Sequence, residues 1–311
     1  MTFVKPVVKW VGGKRNQVND LLSGFPREMN NYHEPFLGGA SVLFALLHKI
    51  KDGNIRVSNT VYAYDTNETL IHMYINIQKQ PEEVFLETHR LAKQFYDIPE
   101  TDKNRTTTKV NRKPTSEHEA LSSRESFYYW IRAKFNENPA NKTSILSSAY
   151  FIFLNKLCFR GLFRVACNGF NVPFGNYRNP EIINRNNILA VSALIQKVVF
   201  RCLDFRQLEK QAIVQPGDFV YLDPPYAPVN PTSFVKYAVN GFTTDDHLAL
   251  FQQLHDFNQR GVQFIMSNSD APLVIDNVQH VYNVRTVSCR RAINAKKPGS
   301  VANEVIVTNV F

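Results

Sequence analysis

The run Asp218-Phe219-Val220-Tyr221-Leu222-Asp223-Pro224-Pro225-Tyr226 limits the folds open to this chain more than any other stretch. Its apolar half reads as a short buried strand, and the two prolines stop that strand. Open α/β sheets place their ligand sites at the carboxyl ends of strands, where this motif falls. The prolines carry no N–H and fix the local path, so the Asp223 carboxylate and the Pro224 carbonyl can face one spot beside the Tyr226 ring. Two acceptors next to a flat ring suit an exocyclic amino group on a planar base: its N–H bonds meet the acceptors while its π face stacks. The competing reading is a strand that ends in a Pro-Pro turn with a surface Asp.

Two upstream stretches fit the same architecture. Tyr32-His33-Glu34-Pro35-Phe36-Leu37-Gly38-Gly39-Ala40-Ser41 leads into Val42-Leu43-Phe44-Ala45-Leu46-Leu47-His48, which has helical apolar spacing. The pattern is strand, glycine turn, helix; the glycines allow close backbone approach, and the helix start offers unpaired N–H groups. A nucleoside cofactor is the expected tenant. The third glycine of the dinucleotide fingerprint is missing, which argues against a nicotinamide dehydrogenase. Val61-Tyr62-Ala63-Tyr64-Asp65 then reads as a second strand, with Thr66-Asn67-Glu68 opening a helix to about Gln78. An acid in Asp65's place can accept from both ribose hydroxyls or can cap the helix. The N-terminal Lys9-Trp10-Val11-Gly12-Gly13-Lys14 sets an aromatic and two glycines between lysines, as a loop on an anionic ligand would. It is not a P-loop, because the first Gly of that pattern would fall on Val8 and Lys14 is followed by Arg15.

From about Lys79 the alternation of strands and helices stops. Helical patterns cover residues 82–96, 117–135 and 145–159, with a polar loop over 97–116 that contains Arg105 to Lys109. The predicted organisation is a catalytic domain of residues 1–78 and 191–311, with an inserted, mainly helical domain of residues 79–190. The insert holds 17 Lys and Arg against 11 Asp and Glu, which places +6 of the net charge of +9 there. Its densest part runs from Lys156 to Arg178, with four basic residues, five aromatics and no acid. Basic groups bind phosphates or guanine edges, and rings wedge into base stacks. The alternative is a loop whose rings form a small core. Gly161, Gly169 and Gly175 mark it as loop rather than helix.

After Ile188 the α/β rhythm resumes. Residues 197–202 form a strand followed by Asp204-Phe205, where a carboxylate and a backbone N–H could meet an adenine ring, or where Asp204 could cap a helix over 205–211. Thr243-Thr244-Asp245-Asp246 starts a helix to Gln259, and residues 262–267, 281–287 and 304–310 add strands around a basic loop with Arg290-Arg291 and Lys296-Lys297.

The chain has 311 residues, 44% of them hydrophobic, enough for a sizeable core. Its basic balance suits a polyanionic partner. Cys158, Cys167, Cys202 and Cys289 show no Cys-x-x-Cys pair and no matched His spacing, so neither zinc nor a disulfide framework is implied. With no apolar span of membrane length and no signal-peptide core, the expectation is a soluble intracellular protein without membrane or metal partners.

In this order the motifs resemble the Dam-like family of DNA N6-adenine methyltransferases. The resemblance rests on Lys9-Trp10-Val11-Gly12-Gly13-Lys14, Glu34-Pro35-Phe36-Leu37-Gly38-Gly39-Ala40-Ser41, Asp65-Thr66-Asn67, Asn171-Val172-Pro173-Phe174-Gly175, Asp223-Pro224-Pro225-Tyr226-Ala227-Pro228 and Ser267-Asn268-Ser269-Asp270. It implies a Rossmann-like methyltransferase sheet carrying an inserted target-recognition domain. It further implies S-adenosylmethionine held by Trp10, Gly12, Lys14, Glu34, Phe36, Gly38, Gly39, Ser41, Asp65, Asp204, Phe205 and Asp223. Catalysis falls to Asp223, Pro224, Pro225 and Tyr226, acting on an adenine flipped out of double-stranded DNA. The implied DNA contacts are Lys9, Lys156, Phe159, Arg160, Leu162, Arg164, Pro173, Asn176 and Arg178. Family members that read GATC commonly carry Asn where this chain has Arg160, which opens the target beyond GATC. Cytosine C5 chemistry is excluded, because it needs a thiolate, usually from a Pro-Cys pair, and no cysteine here follows a proline. Cytosine N4 methylation, RNA methylation and a non-catalytic DNA-binding protein remain the alternatives. A restriction nuclease fits less well, because this chain shows no cluster of metal-binding carboxylates with a lysine.

Overall fold

A computed structural model describes residues 4–99, 110–137, 141–211, 213–229, 241–290 and 301–310. The expected basic stretches Arg105 to Lys109 and Arg291 with Lys296-Lys297 lie outside the described residues. The chain divides into two compact units. One comprises the described parts of Met1–Arg15, Gly38–Phe44 and Asn67–Gln196; the other comprises Asn16–Leu37, Ala45–Thr66 and Lys197–Phe311. The expected boundary at residue 79 falls inside the first unit, where helix Glu68–Lys79 packs on Ile145–Leu157 and Arg185–Leu194.

The second unit is built on a seven-stranded sheet. Its strands are β1 (Tyr32–Glu34), β2 (Val61–Asp65), β3 (Val198–Cys202), β4 (Phe219–Leu222), β5 (Gln263–Ser269), β6 (Asn283–Arg290) and β7 (Val301–Thr308). They lie in the order β3-β2-β1-β4-β5-β7-β6. Neighbours from β3 to β5 pair in parallel, and β7 runs antiparallel to both β5 and β6. This is doubly wound order with one reversed strand set near the edge, and its direction of winding changes between β1 and β4. Phe219, Val220, Tyr221 and Leu222 are all buried, so the apolar run is a strand covered on both faces.

At the amino ends of β1 and β4 a polar network fixes their register. Asp218 accepts from the Asn31 backbone and side chain at 3.1 and 2.8 Å, from the Gln215 N–H at 2.9 Å, and pairs with His33 Nε2 at 3.0 Å. Burial opposes the charge of Asp218, but these bonds outweigh it and hold its carboxyl below the usual range. Helix Thr244–Gln259 buries Leu250, Phe251, Leu254 and Phe257 against the apolar side chains of β4 and β5. Its start is a capping box: Thr243 accepts from the Asp246 N–H and Asp246 accepts from the Thr243 N–H. Such a cap contributes about 1 kcal/mol.

The first unit is helical around an aromatic core in which Phe153 meets Phe95 and Phe127 edge-on, at centroid distances of 5.8 and 5.7 Å. The helix expected over 117–135 is two helices, Glu117–Ala120 and Arg124–Glu137. Ser123 divides them, its hydroxyl accepting the Ser126 N–H at 3.0 Å and starting the second. Helix Ile145–Leu157 stops two residues before the expected end because Cys158 is extended.

Candidate active site and nucleic-acid interface

The switch between β1 and β4 brings two acids to the carboxyl ends of adjacent strands: Glu34 closes β1 and Asp223 follows β4. Glu34 is 2% exposed. Burial pushes its carboxyl up to about 8; the Tyr32 hydrogen bond, at 2.7 Å, opposes this, and the neighbouring Asp223 charge adds to it. At neutral pH Glu34 is therefore mainly a neutral acid. Asp223 is half-buried, Pro224 buried, Pro225 exposed and Tyr226 half-buried.

The Asp-Pro-Pro-Tyr loop is latched to β5. Asn268 Oδ1 accepts the Ala227 N–H at 3.1 Å and the Ser269 N–H at 2.9 Å, and the Ser269 hydroxyl donates to the Ala227 carbonyl at 2.5 Å. Below the loop, Tyr221 and Ser267 share a hydrogen bond at 3.2 Å. The sequence match at Ser267-Asn268-Ser269 thus has a mechanical meaning that the sequence reading did not assign. The Tyr226 phenol donates to Glu304 Oε2 at 3.0 Å. Burial and the charges of Asp223 and Glu304 push that phenol far above the usual range, so it stays protonated.

Asp65 and Asp204 differ in their surroundings. The helix Glu68–Lys79 is capped by Asn67, whose side chain accepts the Leu70 N–H at 3.1 Å, so capping does not account for Asp65. Asp65 stands half-buried at the end of β2, its carbonyl accepting from Leu203 N–H at 3.2 Å. Asp204, by contrast, accepts from the Arg206 N–H at 2.9 Å and from Arg206 Nη1 at 3.1 Å on both carboxylate oxygens. Arg206 also pairs with Asp246. A carboxylate has about four lone-pair sites, so Asp204 keeps one for another donor. Phe205 is buried, and Phe36, half-buried, meets it at 5.5 Å.

In the first unit the glycine turn holds Trp10. A Cβ on Gly38 would lie 2.6 Å from Trp10 Cδ1, and Gly38 has φ +48°, so two independent constraints require glycine there. The indole stacks on Phe163 at 6.0 Å. Lys14 is 4% exposed. Its ammonium donates to the Gly12 carbonyl at 3.0 Å, and its backbone N–H donates to the Ser41 hydroxyl at 3.2 Å. Gly39 is buried within 3.0 Å of Trp10 for an added Cβ.

The basic-aromatic stretch of the same unit is a braced finger. The Phe159 N–H donates to the Pro173 carbonyl, and the Gly175 N–H to the Leu157 carbonyl, both at 2.8 Å. Beyond them Val165–Ala166 and Gly169–Phe170 form a two-residue-turn hairpin. Asn136 holds that hairpin through both the N–H and the carbonyl of Phe170, at 2.9 and 3.0 Å. The rings split as the two readings allow. Phe163 and Phe174 pack against the unit's core, whereas Phe159 is 44% exposed at the tip. Arg160 beside it is left-handed at φ +59°, its N–H donating to the Tyr177 hydroxyl at 2.9 Å. Its guanidinium lies over the Phe159 ring, 5.0 Å from the centroid. Arg164, Pro173, Asn176 and Arg178 are exposed; Lys156 and Leu162 are half-buried. Arg164 Nε donates to Asn171 Oδ1 at 2.7 Å, which leaves its terminal nitrogens to face outward partners. Lys9 is exposed, with its ammonium on the Lys156 carbonyl at 3.0 Å and 3.8 Å above the Tyr177 ring. Cys158 is buried at the finger's base, its thiol pushed up to about 12 by burial, so it is an inert packing group. Among the described residues no group of three or more His, Cys, Asp or Glu is arranged to hold a metal, and no helix is long and apolar enough to cross a membrane.

Sequence reading missed Glu304, Tyr32, Asn136, Asn155 and Tyr177. A signal existed for Glu304, an acid inside the apolar alternation of Val301–Thr308. Asn155, which exchanges bonds with the N–H and carbonyl of Lys9 at 2.7 and 2.8 Å, left none.

A large, mainly parallel, doubly wound sheet is the fold of the S-adenosylmethionine-dependent methyltransferases, and here acids stand at or just past the carboxyl ends of β1, β2, β3 and β4. A profile of the D12 class N6 adenine-specific DNA methyltransferases matches residues 10–293. The chain belongs to that family, and it is an adenine-specific DNA methyltransferase. It is 33% identical over 300 residues to the type II methyltransferase M.MjaIII of Methanocaldococcus jannaschii, covering 94% of each chain. It is 30% identical over 267 residues to a DNA adenine methylase of Vibrio cholerae, covering 85% of this chain and 80% of that one. A retron Ec67 DNA adenine methylase of Escherichia coli is 29% identical over 308 residues, 97% of this chain and 90% of that one.

Proposed function

We propose that the chain transfers a methyl group from S-adenosylmethionine to the N6 of an adenine extruded from double-stranded DNA, with Asp223 and Pro224 as the acceptors that orient and polarise the amino group. The observation that carries this reading is the placement of Asp223-Pro224 at the end of β4, beside the switch point, on a loop latched by Asn268 and Ser269. S-adenosylmethionine, when bound, supplies an electrophilic methyl group on a sulfonium. The Asp223 carboxylate matches its cationic end, and Glu34 does so once it gives up its proton. Asp65, at the end of β2, matches the ribose hydroxyls, and the half-buried Phe36 ring with Phe205 and Asp204 matches an adenine. The resemblance adds Trp10, Gly12, Lys14, Gly38, Gly39 and Ser41 to this set.

The adenine N6 lone pair is delocalised into the ring, so it attacks only as the amino group rehybridises. Acceptors on its two N–H bonds stabilise the positive charge that develops on nitrogen, and alignment supplies much of the remaining acceleration. Asp223 therefore acts as an oriented acceptor, because neutral N6 need not lose a proton before attack. Stacking on Tyr226 offsets part of the cost of removing the base from the duplex.

Residues 79–190 supply target recognition. Phe159, Arg160, Leu162, Arg164, Pro173, Asn176 and Arg178, with Lys9 and Lys156, are the proposed DNA contacts, and Arg160 in place of Asn makes a target other than GATC the reading to test. Methylation-sensitive sequencing of DNA exposed to the purified protein reports base and target together; cytosine modification, or none, would sink the assignment. Asp223→Ala tests the site: turnover should be lost with cofactor binding largely intact, and retained turnover would remove Asp223 from the mechanism.

A further inference from the structure

Glu304 reaches the Asp-Pro-Pro-Tyr loop by an unusual route. It lies on β7, and because β7 runs antiparallel, the early part of that strand sits beside the carboxyl end of β5; Glu304 is in register with Ser269. The reversed strand thus delivers an acid to the end of the sheet where the parallel strands deliver theirs. Its Oε2 accepts two donors, the Tyr226 phenol at 3.0 Å and Gln17 Nε2 at 3.3 Å.

Tyr226 is consequently held at two points. Its backbone is fixed through the next residue, since Ala227 is bound through its N–H by Asn268 and through its carbonyl by Ser269. Its ring is fixed at the far tip by Glu304. The phenol is a donor at every accessible pH, because burial and the nearby acids keep it protonated, so the bond has one direction. A ring anchored at both its Cα end and its hydroxyl presents one plane, whereas a ring anchored only at Cα swings about its side-chain bonds. Gln17 binds the same carboxylate oxygen and restrains it in turn.

We propose that Glu304 is a positioning residue for methyl transfer: it tethers the Tyr226 hydroxyl so that the ring stands as a preset stacking surface for the extruded adenine. The proposal rests on the reading of Tyr226 as that surface. The tether runs through Tyr226, and this makes it separable from a general structural role.

The test is a mutant cycle on the full chain with a duplex carrying the mapped target. Turnover, DNA KM, cofactor Kd and thermal midpoint are measured for the wild type, Glu304→Ala, Glu304→Gln, Tyr226→Phe and Glu304→Ala with Tyr226→Phe. A second duplex with 2-aminopurine at the target position reports by fluorescence how well the extruded base is held. Glu304→Ala should lower kcat about tenfold, equivalent to ~1.4 kcal/mol, change the 2-aminopurine signal and leave the cofactor Kd unchanged. Tyr226→Phe, which keeps the ring and loses the tether, should match it, and the double variant should be no worse than either. Glu304→Gln keeps an oxygen acceptor and should recover most of the activity. Additive losses in the double variant, wild-type turnover in Glu304→Ala, or a Tyr226→Phe variant indistinguishable from wild type would each overturn the tether. If Glu304→Ala does not fold, Tyr226→Phe carries the test with the same two outcomes. Tyr226→Ala separates the levels: if it retains turnover, the stacking reading itself fails, and if it is inactive while Tyr226→Phe is wild-type, only the tether fails.

Discussion

Tyr32 donates its phenolic proton to Glu34 at 2.7 Å inside a strand where both residues are fully enclosed. The acid that closes β1 thereby gains a donor, yet burial outweighs that bond and raises its carboxyl to about 8. A group whose folded pKa is raised above its unfolded value stabilises the fold below the unfolded value and loses that contribution as pH rises through the folded one. For Glu34 the window is roughly pH 4.5 to 8. Stability should fall across it at up to ~1.4 kcal/mol per pH unit for one proton. Glu34→Gln should flatten the slope, as measured by chemical denaturation at several pH values; an unchanged slope would show that Glu34 does not hold the proton.

If Glu34 meets a cationic ligand, binding should expel the same proton. Cofactor affinity should then rise with pH towards about 8 and level off beyond it. Calorimetry in buffers of different ionisation enthalpy measures the released proton directly. Proton release that persists in Glu34→Gln would assign it to another group.

The Asn268 latch should be felt in turnover more than in cofactor binding. Asn268→Ala removes the acceptor of the Ala227 and Ser269 N–H groups, an expected cost of about 1–3 kcal/mol in stability. It should also lower kcat by loosening Asp223 and Tyr226. Asn268→Ala with wild-type kcat in a folded protein would mean that the loop holds its shape without the latch.

Asp65 and Asn67 should separate by measurement because their carboxylate and amide do different work. Asn67→Ala removes the cap on Leu70 and should cost about 1 kcal/mol of stability. Asp65→Ala should weaken cofactor binding with a smaller change in thermal midpoint. An unaltered cofactor Kd for Asp65→Ala would leave that acid without a ribose role.

At the finger, exposure predicts which ring serves DNA. Phe159→Ala should change stability by less than ~0.5 kcal/mol, the usual range for an exposed site, while weakening specific DNA binding. Phe174→Ala, half-buried and packed on Tyr128 at 5.4 Å, should destabilise clearly, though by less than the ~3–5 kcal/mol of a fully buried ring. Arg164→Ala should lower DNA affinity or relax specificity by ~1–3 kcal/mol per lost base contact. Fluorescence anisotropy on matched and mismatched duplexes, beside thermal melts, distinguishes these cases, and equal DNA binding by Phe159→Ala and the wild type would remove the tip ring from recognition.

Much of the α/β frame was legible because its signals are short and contiguous. Val61–Asp65 and the helix Thr244–Gln259 occur as the apolar runs and the capping residues foretell. Legibility failed where a residue had two local options of similar energy. Asp204 sits just after a strand and Asp65 closes one, each ahead of a helix, and nothing nearby in sequence says that Arg206 will engage Asp204 or that Asn67 will cap the helix after Asp65. In the same way Phe159 and Phe174 are alike in the sequence, and only the packing of Phe174 against the helical core separates an exposed ring from a half-buried one.

The sequence by itself determined the chemistry offered at the end of β4, because the acid, the rigid carbonyl and the ring of Asp223-Pro224-Pro225-Tyr226 are covalently adjacent and prolines fix their path. Tertiary structure decided what holds that group in place. Glu304 and Asn268 lie 78 and 41 residues from their partners in the loop; Asn268 arrives because β5 lies parallel beside β4, and Glu304 because β7 inserts antiparallel beside β5. Hydrogen bonds across such separations depend on sheet order and strand direction, which no local pattern encodes.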